Sequence, residues 1–314
     1  MPETVWRSPE GRRLSQKLAE SNAPLLETIA TIDALGHRLL QRMAVATNRQ
    51  RPDELVGLAL TRRAVTCFAG LRVQAENSLV EPAKLQMRAL FEIVLAIRYL
   101  NYGTRKSVGL GSESASRVRL TRAKYYIAAA IRNDIHYRLA HLQHRFGRRA
   151  IGRALRNELQ DGISERLRVL KRDFAAQNHR FGPIGSKPNK YFDSREWYSF
   201  GFRKPPVNSV WALAKRLGWS LQYAMFYQPL SGLVHPTGID RDLQFTASTV
   251  TPRSVYMNDA FESVANWACI MHFFGLKCVA GCYHPGSMPD IRRVETALSS
   301  VIGPLDTVAP DAWF

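Results

Sequence analysis

An all-α fold, a multi-helix bundle, is what this sequence predicts, and three observations lead there. Apolar residues recur every three or four positions through most of the chain before residue 178, and nothing there alternates with the two-residue period of a strand. Prolines sit where helices would begin, at Ser8-Pro9-Glu10, Pro24, Pro52-Asp53-Glu54 and Pro82. A hydrophobic content of 46% with only 20 Gly and 16 Pro among 314 residues describes an ordered chain long enough to bury a large core.

Taken in order, Pro24 interrupts a first helical stretch, and a second runs to about Val45. Pro52-Asp53-Glu54 opens the next, through about Leu79. Pro82 then opens an almost wholly apolar helix, Leu85 to Leu100, expected at the centre of the bundle. Two Arg-rich amphipathic helices follow, Ser114 to about Phe146 and Gly147 to about Gln177. From about 178 to 208 Pro, Gly and aromatic residues break the pattern into a long irregular loop. Asn208-Ser209 caps a short helix that ends at Gly218, and Trp219 to about Val234 forms another, whose ladder Pro229 must disturb. A short non-helical stretch near 236–256 precedes the last long helix, Asn258 to about Cys278. Beyond Pro285 lie a short amphipathic helix and a tail. The division that results is an N-terminal helical elaboration (1–51), a helical core domain (52–284) and a C-terminal short helix and tail (285–314).

Charge narrows the function classes. The balance of 44 basic against 26 acidic residues gives +18, and Arg105 to Asp173 alone, with 17 basic and six acidic residues, holds +11 of it. A local excess of this size fits a polyanion partner, most often nucleic acid, with Arg117, Arg122, Lys124, Arg132, Arg145, Arg148, Arg149 and Arg153 as the expected contacts. A proteome that favours Arg throughout would produce the same excess. The N-terminus has no apolar signal core, and the longest uncharged apolar run, Ser263 to Leu276, falls short of the about 18 residues a bilayer needs. Four cysteines without paired spacing fit a reducing compartment, so a cytoplasmic protein with no membrane partner is expected. Cys269, His272, Cys278, Cys282 and His284 cluster late in the chain but lack the spacing of a closed zinc site; no metal and no cofactor are expected. P-loop, GxGxxG, GxSxG and HExxH patterns are absent.

Two polar constellations remain. On the apolar helix, Arg88 and Glu92 stand one turn apart within reach of each other, and burying either charge alone would cost several kcal/mol. Further on, Tyr223, Tyr227, Ser231 and His235 recur every four residues, a stripe of hydroxyls that ends in an imidazole. An imidazole can move protons and hydroxyls can orient it or a phosphate, whereas core tyrosines with a capping histidine would leave the same stripe.

The residues Arg88-Ala89-Leu90-Phe91-Glu92 with Tyr99-Leu100, then Trp197-Tyr198, Ser209 to Gly218, Tyr223, Tyr227, Leu230-Ser231 and Val234-His235-Pro236, resemble the motifs of an uncharacterised family of bacterial helical proteins, domain of unknown function 5677. That family is similar in turn to the HEPN group of helical bundles, many of which are dimeric, metal-independent ribonucleases of toxin and phage-defence systems. The resemblance implies an Arg-and-Glu helix facing a Tyr-Ser-His helix, and a homodimer. Arg88 would stabilise phosphate charge, Glu92 would fix Arg88, and His235 would move protons, with Tyr227 and Ser231 beside them. In the HEPN motif, Arg and His share one helix with four to six residues between them, whereas Arg88 and His235 stand 147 positions apart. Arg172 and His179 do fit that spacing, and so do Arg138 and His144, but chance alone gives roughly two or three such matches at this composition. Arg172 and His179 are kept as a reserve site. The alternative to a ribonuclease is a non-catalytic helical module that binds nucleic acid or another ligand through the same residues.

Overall fold

A computed structural model describes residues 20–46, 51–77, 79–102, 112–143, 157–165, 207, 209–231, 243–245, 250–252 and 258–302, with single positions at 13, 17, 153, 168, 169, 172 and 198. The fold is all-α. Its elements are α1 (Ala23–Ala46), α2 (Pro52–Glu76), α3 (Val80–Asn101), α4 (Ser112–Gln143), α5 (Val210–Arg216), a broken helix made of α6 (Ser220–Gln222), a π-helical turn (Tyr223–Tyr227) and α7 (Gln228–Ser231), then α8 (Asn258–Tyr283) and α9 (Met288–Ile302). Within the stretch expected to be non-helical lies a two-strand antiparallel hairpin, β1 (Leu243–Phe245) and β2 (Val250–Pro252), with Gln244 opposite Thr251.

The core is one apolar cluster to which α1, α2, α3, α8 and α9 all contribute. α1 presents Ile29, Ile32, Leu35 and Leu39 at helical spacing, α2 presents Leu60, Val65, Phe68 and Leu71, and α3 is buried on every side from Val94 to Asn101. Each side chain of this size removed from water contributes roughly 1.5–3 kcal/mol before the entropy of ordering it. α8 packs against α1, α2 and α3 together and so shares the centre of the bundle with the apolar α3. It starts at the expected Asn258 and runs five residues past the expected end at Cys278; within it, Glu262 to Tyr283 is long and apolar enough to cross a membrane by length and composition, the only such helix among the described residues, and most of it is buried in this fold.

Prolines and glycines mark the ends much as the sequence suggests. Pro52 starts α2 at its first position, with Asp53 and Glu54 behind it in the first turn. α3 begins two residues before Pro82, which places that proline where backbone N–H groups have no intrahelical acceptor and its missing donor costs nothing. At Gly57 a Cβ would lie 2.9 Å from the Tyr283 ring, so the bare backbone is what lets α8 close against α2. The chain from about 178 to 206, apart from Tyr198, and most of the second Arg-rich helix lie outside the described residues.

Candidate functional site

The site is assembled on one flank of α3. Ser209 caps α5, its hydroxyl accepting a hydrogen bond from the Ala212 amide at 3.1 Å. α5 ends in a Schellman motif: Gly218 adopts φ 77°, its N–H donates to the Lys215 carbonyl, and the Trp219 N–H donates to the Ala214 carbonyl at 2.7 Å. Arg98 of α3 grips this turn, Nε donating to the Leu217 carbonyl at 3.0 Å while the guanidinium lies 5.7 Å from the Trp219 ring centre. Trp219 is thereby buried against Phe91, at 5.7 Å between ring centres.

Pro229 has no N–H to continue the α-helical ladder back to Met225, and the helix widens into the π turn Tyr223–Tyr227 just before it, where the Gln228 N–H donates to the Tyr223 carbonyl. The turn stacks Tyr223 on Tyr227, ring centres 5.0 Å apart and planes 29° from parallel, and sets Tyr227 5.4 Å from Phe91. Tyr227 then meets the two charges of α3. Its hydroxyl donates to Glu92 Oε1 at 2.7 Å, and the Arg88 guanidinium lies over its ring at 5.1 Å, with Nη2 3.5 Å from the hydroxyl oxygen. Arg88 Nε stands 3.7 Å from Glu92 Oε1, longer than a good hydrogen bond.

The expected triad of Arg88, Glu92 and Tyr227 is therefore brought together, but on the flank and not in the core. The Arg88 side chain is 21% exposed and that of Glu92 48%, so water shares the burden of solvating both charges, and the burial inferred from the apolar helix is corrected. Burial, and then the bond to Glu92, hold the Tyr227 phenol above its ordinary pKa; Arg88 pulls the other way. Tyr227 is thus held as a phenol that donates its hydrogen bond to Glu92. No N–H of Arg88 makes a hydrogen bond shorter than 3.5 Å among the described residues, which leaves its donors available to an anion. Ser231 is the last residue of α7, its side chain outside the described residues, as are His235 and His179; Arg172 is a single exposed position.

The expected basic surface divides. Arg117 and Lys124 are exposed on α4, and Arg153 is exposed. Arg122 and Arg132 are not surface contacts. Arg122 is buried and donates to the Tyr99 and Tyr102 carbonyls at 2.8 and 2.6 Å, stitching α4 to the end of α3, and burial lowers its pKa. Arg132 is buried and donates to the Asn133 side chain. In both, an amphipathic helix has spent its arginines on internal carbonyls and amides, which charge counting does not distinguish from phosphate contacts. Arg145, Arg148 and Arg149 lie outside the described residues.

Two buried polar groups did not figure among the expected site residues. Asp53, its side chain 1% exposed, accepts from Arg51 Nε and Nη2 at 3.3 and 2.7 Å, with Arg119 Nε 4.0 Å away and the Arg51 guanidinium also reaching Ser116 Oγ at 3.0 Å. The Pro52-Asp53-Glu54 helix start was the available signal for it. His272 is fully buried in α8, stacked on Phe68 at 4.4 Å, with Gly36 of α1 beside it and neither ring nitrogen hydrogen-bonded among the described residues. Burial, reinforced by nearby His37, pushes its pKa down to about 3. Cys269 is buried next to it, Cys278 and Cys282 are half-buried, and His284 Nδ1 pairs with Ser287 Oγ at 3.0 Å. Among the described residues no three ligating side chains converge on a metal position.

Comparison with curated proteins and with solved structures gives no match. A family model does match, over residues 54–247, which takes in most of α2, all of α3 to α7 and the first strand, and hence every residue of the Arg88 site. The chain belongs to that family, the Family of unknown function (DUF5677).

Proposed function

We propose that this protein acts on RNA through the flank of α3, as a HEPN-like, metal-independent ribonuclease or toxin-like effector in phage defence, with Arg88 as the group that meets phosphate. The observation that carries the reading is Arg88 itself: a guanidinium held over an aromatic ring, charge-matched by Glu92, half-sheltered from water, with its N–H donors not engaged in short bonds. Such a group binds an anion more strongly than a fully hydrated surface arginine does. Glu92 fixes Arg88, and His235, four residues beyond Ser231, is the proposed proton carrier. The basic face at Arg117 and Lys124 supplies further attraction for a polyanion.

The test is incubation of purified wild type, Arg88→Ala and His235→Ala with total RNA in excess chelator, read on a denaturing gel, beside RNA binding measured across a salt series. Cleavage by the wild type alone, with affinity that falls linearly in log–log form as salt rises, is the expected result. Cleavage unchanged in both variants would overturn the roles given to Arg88 and His235.

The closed contact between Tyr227 and Glu92 favours a second reading, a binding module without turnover, because a satisfied triad of this kind also serves to hold a ligand pocket in shape. Salt-sensitive RNA binding with no cleavage under any condition is its signature.

A further inference from the structure

Beyond Arg88, the same flank carries a series of rings that the phosphate contact does not use. Trp211 of α5 lies 5.0 Å from Tyr223, Tyr223 lies 5.0 Å from Tyr227, and the Arg88 guanidinium follows at 5.1 Å from Tyr227. The series runs from inside to outside. Tyr227 is buried, Tyr223 is half-buried, and Trp211 is 41% exposed. One exposed aromatic needs no explanation. This one differs because it is the outer member of a ladder that ends on a cation, and because Lys215, exposed one helical turn along α5, lies on its side of the helix. Trp219, the other tryptophan at this site, is buried and fills the core, so the two indoles are not equivalent.

We infer that Trp211, backed by Tyr223 and Tyr227, is a stacking platform for an unpaired base of single-stranded RNA, with Lys215 on the backbone and Arg88 on a neighbouring phosphate. This rests on the RNA reading of the Arg88 site and adds the form of RNA that the site takes. Trp211 meets Tyr223 at 53° between ring planes, a tilted contact that limits the indole's motion while part of it stays exposed, and every base has a π face to lay on it. A duplex offers no such face except at its ends, so single strands and unpaired loops are selected over helices. Positive charge at both ends of the ladder matches the phosphates that flank a splayed base.

The test uses the full chain and two fluorescently labelled RNA-length oligomers of equal charge, one uridine-rich and one abasic, read by anisotropy at fixed salt. The wild type is expected to bind the base-bearing oligomer about tenfold or more tighter than the abasic one, in line with the worth of one base–aromatic stack. Trp211→Ala should remove that preference while leaving abasic affinity unchanged, and Trp211→Phe should keep most of it. Circular dichroism of each variant checks the fold. If Trp211→Ala retains the full preference, or weakens both oligomers equally, the stacking role is overturned, while loss of binding in Arg88→Ala would still sustain the RNA reading. If the wild type binds neither oligomer, both fall together.

Discussion

Acidification destabilises this bundle through His272, and the size of the effect follows from where the ring sits. The imidazole is fully buried between α8, α2 and α1, its nitrogens lack hydrogen-bond partners among the described residues, and its pKa in the folded protein is about 3. In the unfolded chain a histidine titrates near 6.5. Above about pH 7.5 neither state holds the proton and nothing is lost. As pH falls below 6.5 the unfolded chain takes up the proton while the folded one refuses it, so stability declines until about pH 3, where the folded ring is also protonated. At pH 5 the unfolded state has gained about 1.5 pH units of protonation, worth roughly 2 kcal/mol. Other groups titrate in the same range, so the informative quantity is a difference. Urea denaturation of wild type and His272→Phe, followed by circular dichroism at pH 7.5 and 5.0, isolates it: the variant should lose about 2 kcal/mol less than the wild type on acidification. Phenylalanine keeps the stack on Phe68 and removes two unpaired nitrogens, so the variant is also expected to be no less stable at pH 7.5. Equal losses in the two proteins would refute the reasoning, and His272→Leu provides a repeat if the phenyl ring fails to fit.

Three further outcomes are expected. Asp53→Asn removes the buried carboxylate that Arg51 and Arg119 share at the start of α2, leaving Arg51 with the Glu54 carboxylate at 3.1 Å, and should lower stability by about 2 kcal/mol in thermal or urea unfolding; a loss within error of zero would show that the buried carboxylate contributes nothing. Gly57→Ala gains helix propensity of about 1 kcal/mol but drives a methyl against the Tyr283 ring, for a net destabilisation of about 1 kcal/mol; a stabilised variant would mean that α8 moves away freely. Tyr227→Phe deletes the hydroxyl that bonds Glu92 and should cost about 1 kcal/mol in unfolding while altering RNA affinity through a looser Arg88; unchanged affinity would separate Arg88 from its support.

Much of the scaffold was legible because its signals are local. Pro52, Ser209 and Gly218 act within one helical turn, so the ends of α2 and α5 fall where chain chemistry alone puts them. Pro229 announced a disturbance, but that it takes the form of a π turn stacking Tyr223 on Tyr227 depends on the Phe91 ring they pack against. The apolar run at 85–100 suggested that Arg88 and Glu92 were buried, whereas the polar pair lies on the flank and the buried charges are elsewhere, Asp53, Arg98 and Arg122 among them. Those three pair with residues 2, 119 and 20 or more positions away in mixed fashion, two of them with backbone carbonyls, and a carbonyl carries no mark in a sequence. The split of the α4 arginines into Arg117 outside and Arg122 inside has the same origin.

The position of α8 has a consequence for synthesis. Helices α1, α2 and α3 emerge first, yet the surfaces they turn toward one another enclose a seam that only α8, starting at Asn258, fills. Contacts between residues more than two hundred positions apart must form before this core is closed, which makes the loop-closure cost high and the nascent three-helix intermediate sticky. The missing piece is also the most apolar long helix among the described residues, and its apolar surface stays in water until its partners cover it. Any change that delays the first three helices lengthens the time during which that surface is open to aggregation.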